Sequence, residues 1–118
     1  LAGLMFYQRS RIDNPAVTIQ QLNTSRARFR SPPYARGTLV IDGVRGTKTP
    51  LFVIYGDHDA PAYPDLEARR EVFQSARPDV RFELVADAGH WLQYEMPDVF
   101  NQKCIEWLNN PVSQNPRR

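Results

Sequence analysis

Covalent cross-links are the first thing this sequence cannot supply. Its one cysteine, Cys104, has no partner for an internal disulfide, so the fold depends on packing and hydrogen bonding. Cys104 falls on the apolar face of a helical stretch and reads as a small core residue in a reducing, cytoplasmic compartment. Long hydrophobic runs are also missing. The longest, Leu51 to Tyr55, is far short of the roughly 20 residues that cross a bilayer. No charged, apolar and small-residue sequence of the signal-peptide kind is present, so no membrane partner is expected. Charge of one sign is not in excess either: 15 Lys and Arg against 13 Asp and Glu leave a net +2. The arginines are scattered apart from Arg26, Arg28 and Arg30, without the basic face and aromatic stacking partners that nucleic acid requires. No initiator methionine precedes Leu1, and the chain reads as an interior piece of a longer protein.

What is present fits one ordinary globular unit, with 42% hydrophobic and 24% charged residues in 118. Leu1 to Arg9, carrying Leu4, Met5, Phe6 and Tyr7, reads as the end of a helix. Asn14-Pro15 starts the next, with Asn14 as N-cap and Pro15 in the first turn, where its missing N–H costs nothing. That helix runs to about Phe29 with a weak apolar stripe of Val17, Ile19, Leu22 and Phe29, and Ser31-Pro32-Pro33 ends it. Between Gly37 and Thr49, Leu39-Val40-Ile41 has strand propensity, but the glycines favour a short helix or turn.

The unbroken apolar run at 51–55 is a buried parallel strand by its pattern. A helix follows from Pro64 or Asp65 to Ala76, with Leu66, Val72, Phe73 and Ala76 inward. Val80 to Val85 alternates apolar and charged residues, a strand with one polar face. Pro97 opens a last helix to about Asn109 that buries Phe100, Cys104, Ile105, Trp107 and Leu108, before a polar tail. Two strands joined by a crossover helix are parallel neighbours. Two strands alone leave the first with an open edge, so the rest of the sheet is expected from a missing N-terminal half or from a second copy of the chain.

Each strand runs into a short signal: Gly56-Asp57-His58-Asp59 after the first, Ala88-Gly89-His90-Trp91 after the second. Loops at the carboxyl ends of parallel strands are where open α/β sheets place their chemistry. An acid and a histidine there match the needs of nucleophilic hydrolysis, in which an imidazole takes a proton and a carboxylate holds it in the right tautomer. Asp59 and His90 are the leading pair, with Asp57 the rival acid. His58, between two carboxylates, reads as a solvated loop residue, since consecutive Asp-His-Asp residues do not converge on one ion.

From Thr49 to Leu108 the chain resembles the C-terminal half of the α/β-hydrolase superfamily. The resemblance rests on Gly56-Asp57-His58-Asp59, on Gly89-His90-Trp91, and on Glu95-Met96-Pro97 at a helix start. It implies an α/β fold of parallel strands with crossover helices over 37–110, lid-type helices over 1–36 and a flexible tail over 111–118. It also implies Asp59 as triad acid and His90 as triad base. The family's nucleophile elbow, Gly-x-Ser-x-Gly, is absent: Ser10, Ser25, Ser31, Ser75 and Ser113 all lie in other settings. Serine or aspartate, the nucleophile is expected upstream, with the oxyanion hole.

The expectation is therefore the acid-and-base part of a hydrolase acting on a small-molecule carboxylic ester or related acyl or C–C bond, without cofactor or metal and inactive alone. A non-catalytic binding or self-associating module on the same scaffold is the alternative. Trp91 either walls a substrate site or packs under its loop. Phe6 and Tyr7 either line a substrate pocket or belong to the core. Arg26, Arg28 and Arg30 form a solvated face or bind a substrate carboxylate. Glu95 is expected to support the N-terminus of the final helix.

Overall fold

A computed structural model describes residues 1–29, 37–62 and 64–109. The Ser31-Pro32-Pro33 stop, Arg30 and the 111–118 tail lie outside these residues. Among these residues the elements run in order: α1 (Asn14–Arg26), α2 (Leu39–Gly46), β1 (Phe52–Gly56), α3 (Leu66–Ala76), β2 (Arg81–Val85), α4 (Leu92–Glu95) and α5 (Pro97–Asn109), with a 3-10 turn at Arg9–Arg11. The chain is mixed α/β. Among the described residues no helix is long and apolar enough to cross a membrane.

β1 and β2 pair in parallel over five positions, from Phe52↔Arg81 to Gly56↔Val85, and α3 is the crossover between them. Asp65 caps α3 by accepting from the Ala68 N–H at 3.0 Å. Arg77 ends that crossover and ties it to the strand entrance: its guanidinium grips Asp79 and donates to the carbonyls of Thr47 at 2.8 Å and Thr49 at 2.9 Å. The alternating β2 sequence divides its faces. Phe82 is buried on one face, while on the other Glu83 accepts from Arg81 and from Lys103 Nζ, the latter at 2.6 Å, and Val85, on that same face, is buried at the strand's end. Lys103 lies on α5, so this contact joins sheet to last helix. A core of Val85, Ala88 and Leu92 gathers Ile54, Met96, Val99 and Phe100 around the exit of β2.

Several boundaries and burials depart from the sequence reading. Leu1 to Arg9 is not a helix end. It is a tight turn in which the N–H groups of Leu4, Met5 and Phe6 all reach the Leu1 carbonyl, made possible by Gly3 at φ +79. Asp13, not Asn14, caps α1, accepting from the Ala16 N–H at 2.9 Å. Proline one place into the helix suits either residue, and the carboxylate prevails because Tyr94 also donates to it. α1 stops at Arg26, short of Phe29, in keeping with a stripe too weak to bury; Val17, Ile19 and Leu22 are exposed. Val72, Ile105 and Leu108, expected inside, face solvent, because two strands cover only one side of each flanking helix. α4 is a single turn that the sequence reading left within the histidine loop.

Candidate active site

Three short elements converge at the carboxyl ends of β1 and β2. The loop after β1 is laced to the loop after β2 by backbone: Asp57 N–H donates to the Val85 carbonyl at 2.9 Å and His58 N–H to the Ala88 carbonyl at 2.9 Å. The approach is close enough to demand glycine. A Cβ on Gly56 would stand 2.2 Å from the Ala88 carbonyl oxygen, inside any real contact distance. The Asp59 N–H then returns to the Gly56 carbonyl at 3.2 Å, turning the chain so that the Asp59 side chain points inward.

Asp59 is buried, with 4% of its side chain exposed, against 42% for His90. Nδ1 of His90 lies 3.0 Å from Oδ1 and 2.9 Å from Oδ2 of that carboxylate, and the Ala62 N–H donates to Oδ1 at 3.1 Å. A carboxylate facing Nδ1 accepts its proton, which leaves the lone pair on Nε2. The two side chains singled out in the sequence thus meet, although 31 residues separate them. Asp57, the rival acid, engages elsewhere: its Oδ1 accepts from the Ala88 N–H at 3.4 Å and lies 3.8 Å from His58 Nε2.

His58 has another neighbour. Its ring stacks on Tyr7 at 3.7 Å between centroids and 2° between planes. Together with Phe6, Arg9 and Ala60 these two line a cavity of about 400 Å³. Phe6 itself is core, buried against Trp91 at 5.5 Å and Tyr94 at 5.7 Å. Trp91 packs under the loop in this way and also walls a cavity of about 290 Å³ with Ile19, Asn23, Gln93 and Tyr94. Arg26 and Arg28 are exposed. Among the described residues no three of His, Cys, Asp and Glu gather as ligands for a metal ion.

Glu95 departs from expectation. It does not serve the N-terminus of α5. Fully buried, it accepts from the Gly89 N–H at 2.6 Å through Oε2 and from the Gln8 N–H through Oε1. Its position just before Met96-Pro97 marks a helix start, but its donors are backbone groups, one of them 87 residues away, and these carry no side-chain signal. Asp13 was missed because a partner that holds it lies 81 residues away. The Tyr94 hydroxyl donates to it at 2.6 Å, which holds the Asp13 carboxyl below its ordinary range, with the Ala16 N–H adding to the effect, and raises the Tyr94 phenol. This bond ties the start of α1 to α4 beside the histidine loop.

The chain is 26% identical over 65 residues to carboxylesterase YbfK of Bacillus subtilis (strain 168), covering 55% of this chain and 21% of that protein. It is 27% identical over 66 residues to the uncharacterized carboxylesterase nap of the same organism, covering 56% of this chain and 21% of that protein. The match therefore spans about a fifth of the length of these relatives. No family model matches, and no solved structure matches. The chain is similar over about half its length to carboxylesterases, consistent with a hydrolase superfamily.

Proposed function

We propose that this chain supplies the acid and the base of a carboxylesterase-like hydrolytic site in an α/β-hydrolase, and that the nucleophile, a serine, lies outside these 118 residues. The observation that carries the reading is the approach of His90 Nδ1 to both oxygens of the buried Asp59 carboxylate. The similarity to two carboxylesterases supports it.

In this reading Nε2 of His90 takes the serine proton as the hydroxyl oxygen attacks the ester carbonyl carbon. It then gives that proton to the departing alkoxide, leaving an acyl-serine. Water repeats the sequence: Nε2 removes its proton, hydroxide attacks the acyl carbon, and the proton returns to the serine as the acid departs. Asp59 holds the Nδ1–H tautomer and balances the charge that develops on the ring. Residues 1–36 belong, in this proposal, to a lid.

Labelling with a fluorophosphonate probe tests the reading. The protein is expected to take up the label on a serine outside residues 1–118, and His90→Ala to slow labelling by about 10³-fold or more. Labelling that proceeds equally fast without the imidazole contradicts the proposal.

A further inference from the structure

Glu95 has no part in the proton transfers just described, yet it is the one large side chain that is wholly buried among the described residues. Burying a carboxylate is costly unless its oxygens are satisfied. Here both are, and by two segments that meet nowhere else in sequence. Oε2 holds the N–H of Gly89, the residue before His90, and Oε1 holds the N–H of Gln8. The same two segments are joined around this carboxylate by further bonds. Gln8 Nε2 donates to the Asp87 carbonyl at 2.9 Å, and the Trp91 N–H donates to the Met5 carbonyl at 2.8 Å.

Nothing but glycine fits at 89, where a Cβ would stand 2.7 Å from the Tyr7 nitrogen. Asp87 sits at φ 58, a left-handed conformation that an Asp tolerates better than most residues and that needs support from its surroundings. The turn that presents the imidazole is thus held from beneath by one buried carboxylate.

We propose that Glu95 is a positioning residue for His90: by bridging the Gly89 and Gln8 N–H groups it fixes the histidine loop on the Met5–Gln8 segment and so sets the ring against Asp59. The assignment rests on the acid–base reading for its catalytic consequence. Its geometric content stands apart from that reading. Glutamine at 95 keeps the shape but offers one acceptor oxygen and turns an NH₂ group toward the second N–H, leaving a buried donor unpaired.

The test is nitrogen NMR of the protein labelled with ¹⁵N at histidine, in which the two ring-nitrogen shifts of His90 report the tautomer. Wild type is expected to hold the proton on Nδ1. Glu95→Gln is expected to lower the ratio of Nδ1–H to Nε2–H tautomer by about threefold, within the range of one lost hydrogen bond. Glu106→Gln, on the exposed side of α5, is expected to leave it unchanged. Gln8→Pro, at a residue whose φ of −85 is close to proline's, removes the second donor to Glu95, and Gln8→Ala removes only the side-chain bond to the Asp87 carbonyl; the proline variant is expected to lower the ratio further than the alanine one, independently of how Glu95→Gln folds. If folded Glu95→Gln keeps the wild-type ratio, or Gln8→Pro matches Gln8→Ala, while Asp59→Asn changes it, the positioning role is wrong and the acid–base pair stands. If Asp59→Asn leaves the ratio unchanged, the pairing of Asp59 with His90 is itself at fault.

Discussion

Two glycines and two charged side chains decide where the imidazole stands. Gly56 and Gly89 are places where backbone approaches backbone too closely for a methyl group, at 2.2 Å and 2.7 Å from the nearest atoms. Neither obstacle is the flexible end of a side chain, so relief requires moving a loop. Gly56→Ala is accordingly expected to destabilise the protein by about 2 kcal/mol or more, at the severe end of overpacking, which urea unfolding will measure. An alanine there with wild-type stability would show that the two loops are not held as described. The choice between Asp57 and Asp59 also belongs here. The sequence offered both carboxylates two places apart on one loop, and the turn closed by Asp59 N–H on the Gly56 carbonyl decides which one faces inward. Asp59 and His90 were legible because each sits against its own glycine and strand. Glu95 was not, because hydrogen bonds to backbone leave no trace in side-chain identity.

Helices and strands were readable where their signals are local. The crossover from β1 through α3 to β2 follows from an apolar run, a capped helix and an alternating strand, and the observed elements lie within a residue or two of those expected. The opening turn over Leu1 to Phe6 was not readable, because its one buried side chain, Phe6, packs against Trp91 and Tyr94 beside the histidine loop and not along a helical face. Contacts between elements give two further expectations. Glu83 joins β2 to α5: burial raises its carboxyl, but the hydrogen bonds from Lys103 and Arg81 outweigh burial and hold it below the ordinary value of 4.5. A carboxyl lowered on folding adds stability that is present above its unfolded value and is lost as pH falls through the folded one. Melting temperature is therefore expected to drop on acidification below about pH 4.5, and to drop less steeply in Glu83→Gln. An identical acid profile in that variant would remove Glu83 from the account. In the small core beneath the histidine loop, Leu92→Ala is expected to cost about 3 kcal/mol in chemical denaturation, as for other buried leucines. A cost below about 1 kcal/mol would mean that α4 is not packed as observed.

Taken whole, the described residues form a sheet of two strands whose outer surfaces are not closed. Leu39, Val40, Ile105 and Leu108 are each more than half exposed, at 62%, 67%, 56% and 65%. The sequence marked Ile105 and Leu108 as buried because helical periodicity reports which face is apolar, not whether anything covers it. Exposed apolar surface of this kind and an unpaired β1 edge favour association. By itself the 118-residue chain is expected to sediment as more than a monomer, and Leu108→Lys to weaken that association. A sharp monomer boundary at all concentrations would show that these surfaces are tolerated in water. The central claim concerns the buried acid and the half-exposed base, and steady-state hydrolysis of a short-chain p-nitrophenyl ester by the longer protein that carries the proposed nucleophile tests it most directly. The account predicts that His90→Ala lowers kcat by about 10⁶-fold and Asp59→Asn by about 10⁴-fold, each with little change in KM. Retention of kcat within a few-fold of wild type in either variant would contradict it.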